Sequence, residues 1–148
     1  MKFLILLILA GKLLVVNAPA NTHAPDIDGV TGQMYAVQDA LLVYAHEDKA
    51  GGQFYELNSG DTVTAVFDGG ISQKYVVSMQ GVYIARSTEA AKNGGDFEVR
   101  LNNQGEWMML TEVIDLYSKP NNIVLITCSG GSTTTGRLFV ELAPVEVE

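Results

Sequence analysis

Beyond residue 30 the sequence is a succession of short, β-prone runs cut by glycine turns, and no stretch carries a long 3.6-residue period. Such a pattern excludes a helical bundle and alternating β-α layers, because both need long amphipathic helices. Residues 39–45, "DALLVYA", form one apolar run, and His46 follows it directly. Gly51-Gly52, Ser59-Gly60-Asp61 and Asp68-Gly69-Gly70 punctuate three more runs. The last two read as a hairpin. "TEAAKNGG" is a polar break with room for one helical turn, and "DFEVRLNNQGEWMML" alternates in part and turns at Asn102-Asn103, giving a second hairpin. "TEVIDLYSKPNN" reads as a short helix opened by a capping Thr111 and ended before Pro120. Two apolar runs, 123–127 and 137–142, close the pattern, joined by the polar loop "SGGSTTTG". Many short strands with no internal repeat predict an all-β fold, a closed barrel or sandwich with short helices in its loops.

The chain has 148 residues, about one domain's worth, and 47% of them are hydrophobic, enough for a real core. Nine Lys and Arg against 17 Asp and Glu give a net charge of −8. That balance lacks the basic footprint of a nucleic-acid binder. A single cysteine excludes an intramolecular disulfide framework and any multi-cysteine zinc site. "HEDK", one histidine with two adjacent carboxylates, is poor spacing for a metal, so no metal site is expected. "SGGSTTTG" lacks the lysine and the following helix of a phosphate-binding loop. At the N-terminus, residues 1–20 carry Lys2, an apolar run over 3–10, a second over 13–16, and Ala18-Pro19-Ala20. This segment fits a secretory signal or anchor, being too short to span a bilayer as an ordinary helix; the alternative is that 13–16 begin the first strand. Residues 21–148 then form the folded domain.

Cys128 ends one apolar run, His46 ends another, and Arg137 starts the run that pairs with the cysteine strand. Meeting at one rim of a barrel, a thiol, an imidazole and a guanidinium make a nucleophilic acyl-transfer site. The thiolate attacks a carbonyl, the imidazole shuttles the proton, and the guanidinium stabilises the oxyanion. Each residue also has a plainer reading. A lone strand-end cysteine is often a small buried hydrophobe. His46 alone fits a hydrogen-bonded strand end, and Arg137 an edge-strand charge that blunts pairing. His23, in "APANTHAP", reads as solvated, and Trp107 with Met108-Met109 as core or groove lining.

These residues also carry a family likeness. The chain resembles the sortases, cysteine transpeptidases that attach proteins to the Gram-positive cell envelope. "LITC" followed by Arg137 is similar to the sortase cysteine strand and its downstream arginine, "LLVYAHED" to the strand ending on the catalytic histidine, and "GGQFYELNSGDTVTAVF" to the stretch after it. The order His, Cys, Arg is also the family's. Val124 stands where the usual pattern has a first threonine, Ala45 precedes His46 where many sortases have glycine, and "STEAAKNGGDFEVRLNNQGEWMML" enlarges the segment before the cysteine strand. The resemblance implies a closed sortase-like β-barrel with Cys128 as nucleophile, His46 as acid and base, Arg137 as oxyanion stabiliser and Thr127 as a substrate contact through its backbone. It implies cleavage of a Leu-Pro-x-Thr-Gly-like sorting motif through a thioacyl intermediate and transfer to an amine, such as a peptidoglycan cross-bridge or a pilin lysine. It places the enzyme outside the cytoplasm at the membrane or cell envelope. No cofactor is implied for the chemistry, with calcium activation left open. The enlarged segment, by the same likeness, bears on specificity. Two alternatives stand beside this: a cysteine hydrolase of peptides, and a sortase-fold binding module that has lost the chemistry.

Overall fold

The computed structural model describes residues 7–8, 13–15, 34–37, 39–48, 50–66, 72–102, 104–129 and 135–146. His23 and Ala18-Pro19-Ala20 lie outside them, as do the central residues of the 129–136 loop. The strands are β1 (Leu7–Ile8), β2 (Leu13–Val15), β3 (Met34–Val37), β4 (Ala40–Tyr44), β5 (Thr62–Val66), β6 (Ser72–Ala85), β7 (Glu98–Leu101), β8 (Met108–Met109), β9 (Ile123–Ser129) and β10 (Gly136–Pro144). They form one sheet in the order β1-β2-β5-β6-β10-β9-β4-β3, with β7 on β6 and β8 on β7. The sheet curls into a half-barrel, the all-β architecture expected from the sequence. Among the described residues, two pairings are parallel, β2 with β5 and β4 with β9.

The sheet is covered on both faces along its centre. On β9, Ile123 and Leu125 join one cluster with Leu41, Val43, Leu138 and Val140, while Val124 and Ile126 join a second with Leu42, Phe139, Tyr83 and Tyr117. Strands buried on both faces have no polar side to show, which is why 123–127 and 137–142 read as nearly continuous apolar runs rather than alternating ones. In the second cluster Phe139 lies 5.5 Å from Tyr83 and 5.1 Å from Tyr117, centroid to centroid. The segment between β6 and β9 forms the cover over that face.

Both predicted hairpins are present. β5 and β6 pair antiparallel, as do β7 and β8, and Asn102 adopts the left-handed conformation at the second turn, with φ of 52°. Three local readings are corrected. "QFYELN", taken as a β-like run, lies largely in a 3-10 helix over Ala50–Glu56. Gly51, Phe54 and Leu57 are buried at a spacing of three, and side chains three apart eclipse one another in a 3-10 helix, so this stretch presents one apolar ridge. Trp107 is not core. It is a surface ring stacked by Arg86 at 5.3 Å and Arg100 at 4.7 Å, with Arg86 also paired to Glu98 at 3.2 Å.

The third concerns the helix α2 (Leu110–Tyr117), whose N-cap position is Met109, not Thr111. Methionine has no oxygen to accept from the first turn. The acceptor is Asp96, which takes the Thr111 N–H at 3.0 Å and the Thr111 hydroxyl at 2.9 Å, while Glu112 reaches back to the Met109 N–H at 2.6 Å. Replacing Asp96 with alanine is expected to cost about 1 kcal/mol, the usual loss for a missing cap, and to lower the melting temperature by about 2–4 °C. Calorimetry of the Asp96→Ala variant checks this.

Candidate active site at the ends of three strands

The parallel register of β4 on β9 aligns Leu41 with Ile123 and Tyr44 with Ile126, and the Ala45 N–H continues the ladder to the Ile126 carbonyl at 3.2 Å. His46 lies two residues past Tyr44 and Cys128 two past Ile126, so both stand at the same end of the two strands. On the other side of β9, Cys128 and Arg137 are direct cross-strand partners. Opposed residues of an antiparallel pair project to the same face with Cβ atoms about 5 Å apart. That face is shared with Val124, Ile126 and Phe139. Of the three residues singled out in the sequence, Cys128 and Arg137 are brought together as partners, and His46 follows the adjacent strand at the same end. Cys128 is a free, partly exposed thiol, and His46 is exposed.

Arg137 is only 8% exposed. One terminal nitrogen donates to the Gly136 carbonyl at 2.8 Å and the other to the Ala91 carbonyl at 3.1 Å, and the guanidinium lies 5.1 Å from the centre of the Phe97 ring. Neither acceptor carries a charge, so these bonds orient the cation without neutralising it, and a guanidinium has more N–H donors than they use. Ala91 belongs to α1 (Thr88–Asn93), a short helix capped by the Ser87 side chain, and Phe97 immediately precedes β7. The enlarged segment thus holds the arginine directly.

Thr127 points to the opposite face. Its buried hydroxyl donates to the Ala45 carbonyl at 2.7 Å, tying the residue before Cys128 to the residue before His46. The side chain is committed to that tie, and only the backbone is left for a substrate. Gly51 of the 3-10 helix closes over it, its N–H bonded to the His46 carbonyl at 2.9 Å.

One neighbour was not found in the sequence. Tyr55, 40% exposed, donates its phenol to the Cys128 carbonyl at 2.9 Å. Its pKa is pushed up to about 12, chiefly by burial of the hydroxyl, then by the nearby Glu47 and Cys128, with the Ser129 hydroxyl opposing. The phenol is therefore a protonated donor at neutral pH. The spacing of Gly51, Phe54 and Leu57 was the available signal, since it turns Tyr55 outward. Among the described residues no group of His, Cys, Asp and Glu side chains is arranged to hold a metal ion. No helix of those residues is long and apolar enough to cross a membrane.

No family model matches the sequence, and no curated protein matches it. Solved structures do. A lid mutant of sortase A from Corynebacterium diphtheriae superposes with a TM-score of 0.56 at 15% identity, over 92% of this chain and 64% of that one. Sortase C from Clostridium perfringens SM101 superposes with a TM-score of 0.50 at 14% identity, over 91% of this chain and 63% of that one. The chain has the sortase fold. It spans less than two thirds of the length of either sortase. At this identity the sortase likeness extends to the fold, and the chemistry is argued from the residues at the strand ends.

Proposed function

We propose that the protein is a sortase-like cysteine transpeptidase acting on protein substrates with a Leu-Pro-x-Thr-Gly-like sorting motif. The observation that carries the reading is the pairing of Arg137 directly across from Cys128, and it is supported by His46 following β4 at the same end of the strand parallel to β9. The Cys128 thiolate attacks the threonine carbonyl carbon, and the electron pair moves to the oxygen, where Arg137 stabilises it. Collapse of this intermediate breaks the C–N bond as His46, protonated, gives its proton to the leaving amine. An acceptor amine then attacks the thioester, gives its proton to His46 and releases the thiolate. The acceptor class is a primary amine of the envelope, such as a peptidoglycan cross-bridge or a pilin lysine. The working location is outside the cytoplasm, at the cell envelope.

A second reading is favoured by one observation, the burial of Arg137 and the commitment of both terminal nitrogens to backbone carbonyls. On that reading the arginine is a structural strut and the fold serves as a binding module. Mass spectrometry separates the two. The protein is incubated with sorting-motif peptides, with and without triglycine, beside a Cys128→Ala control. A thioacyl adduct on Cys128, resolved to a ligated product by triglycine, is the expected result. Product with water alone makes it a hydrolase. No adduct, with peptide bound equally by the protein and the control, makes it the binding module.

A further inference from the structure

The carbonyls of β9 receive N–H donors from β4 at every second residue. Leu41 donates to Asn122 at 2.9 Å and Ala45 to Ile126 at 3.2 Å. The next acceptor in that series is the carbonyl of Cys128. At this point β4 has ended, and residues 47–48 form a turn. The Cys128 carbonyl instead receives a side chain, the phenol of Tyr55 at 2.9 Å.

We propose that Tyr55 is a positioning residue that extends the ladder where β4 leaves the sheet, holding the backbone of Cys128 in strand geometry while the space beside its thiol stays open. Three features of the 3-10 helix make this a fixed contact. Phe54 and Leu57, on either side of Tyr55, are 1% and 2% exposed and anchor the helix in the core. The Gly51 N–H is bonded to the His46 carbonyl, so the element that carries Tyr55 also holds the backbone of His46. The phenol remains a donor through the neutral range, because its proton is lost only at about pH 12. A main-chain N–H from β4 would do the same for Cys128, but it would extend the strand across the approach to the thiol. A phenol reaches the same carbonyl without extending the strand.

The inference rests on Cys128 being the nucleophile, and its test keeps the two apart. In the full chain, Tyr55→Phe keeps the ring and removes only the hydroxyl. The expected result is a fall of about tenfold in the rate of thioacyl formation at saturating sorting peptide, with the KM for peptide and the melting temperature little changed, because misplacement of a reacting atom acts on the chemical step. An unchanged rate overturns the proposal, and so does a loss of rate that follows only from unfolding. Alkylation of Cys128 by iodoacetamide across pH 6–9 gives a readout that needs no peptide. If the native protein forms no thioacyl adduct, the transpeptidase reading fails by itself. A difference of about threefold or more in the alkylation plateau between the native protein and Tyr55→Phe then still supports the coupling, and coincident profiles overturn it.

Discussion

Replacing Arg137 with lysine is expected to lower the rate of thioacyl formation by about 10²–10³-fold, the usual scale for removing one oxyanion donor. Charge is retained in this variant, so the argument is geometric. The guanidinium is planar and bridges two carbonyls at once, Gly136 at 2.8 Å and Ala91 at 3.1 Å, while lying against Phe97. An ammonium is a single point of charge and cannot reproduce that bridge with its face on the ring. The vacated bonds leave a buried carbonyl short of a donor, which is expected to cost about 1–3 kcal/mol of stability. Single-turnover adduct formation and denaturant unfolding measure the two losses separately. A variant that loses stability but keeps its rate would identify Arg137 as a strut alone and return the fold to the binding-module reading.

A second large effect is expected one layer further from the thiol. A Cβ at Gly51 would press on the Thr127 hydroxyl, and would stand 2.5 Å from the Ala45 carbonyl oxygen and 2.7 Å from that of His46. Two of these neighbours are backbone, and the third is itself fastened to Ala45 at 2.7 Å, so none can yield alone. Gly51→Ala should therefore push the 3-10 helix away from the strand ends, at a cost of about 1–3 kcal/mol for overpacking. Because the displaced backbone includes that of His46, the rate of adduct formation should fall by about 10²-fold, as expected for a shift near 1 Å at a reacting group. Thr127→Val is the informative companion. It deletes the hydroxyl without adding an atom against His46, so it should destabilise by a similar amount with a smaller loss of rate. Wild-type rate in Gly51→Ala would show that the Gly51 contact does not control His46.

How much of this was legible in the sequence depended on the distance over which each feature is decided. The runs 123–127 and 137–142 announced themselves because burial on both faces leaves few polar positions in them, Thr127, Arg137 and Glu141 being the exceptions. The turn residues, Asp68-Gly69-Gly70 and Asn102-Asn103, marked the hairpins because a turn is decided by adjacent residues. The candidates Cys128, His46 and Arg137 were visible as residue types at strand ends. Their meeting depends on which strands are neighbours, and the parallel register of β4 on β9 leaves no trace in either strand alone. The cap of α2 was misread because its acceptor, Asp96, lies well upstream, beyond the reach of a local capping pattern. Tyr55 was missed for a stronger form of the same reason, its partner being 73 residues away in the chain.

The parallel pairing of β4 with β9 has a consequence in time. His46 is placed by a strand laid down early, while Cys128 and Arg137 come from the last two strands, and the tie between Thr127 and Ala45 spans 82 residues. Contacts between such distant residues are slow to form, because the entropy of closing the loop is spent before any contact rewards it. Until β9 has inserted between β4 and β10, Cys128 has neither its cross-strand partner Arg137 nor the end of β4 alongside it. On the transpeptidase reading, a chain still emerging from the ribosome would therefore lack an acyl-transfer site, which would be assembled only as these strands dock.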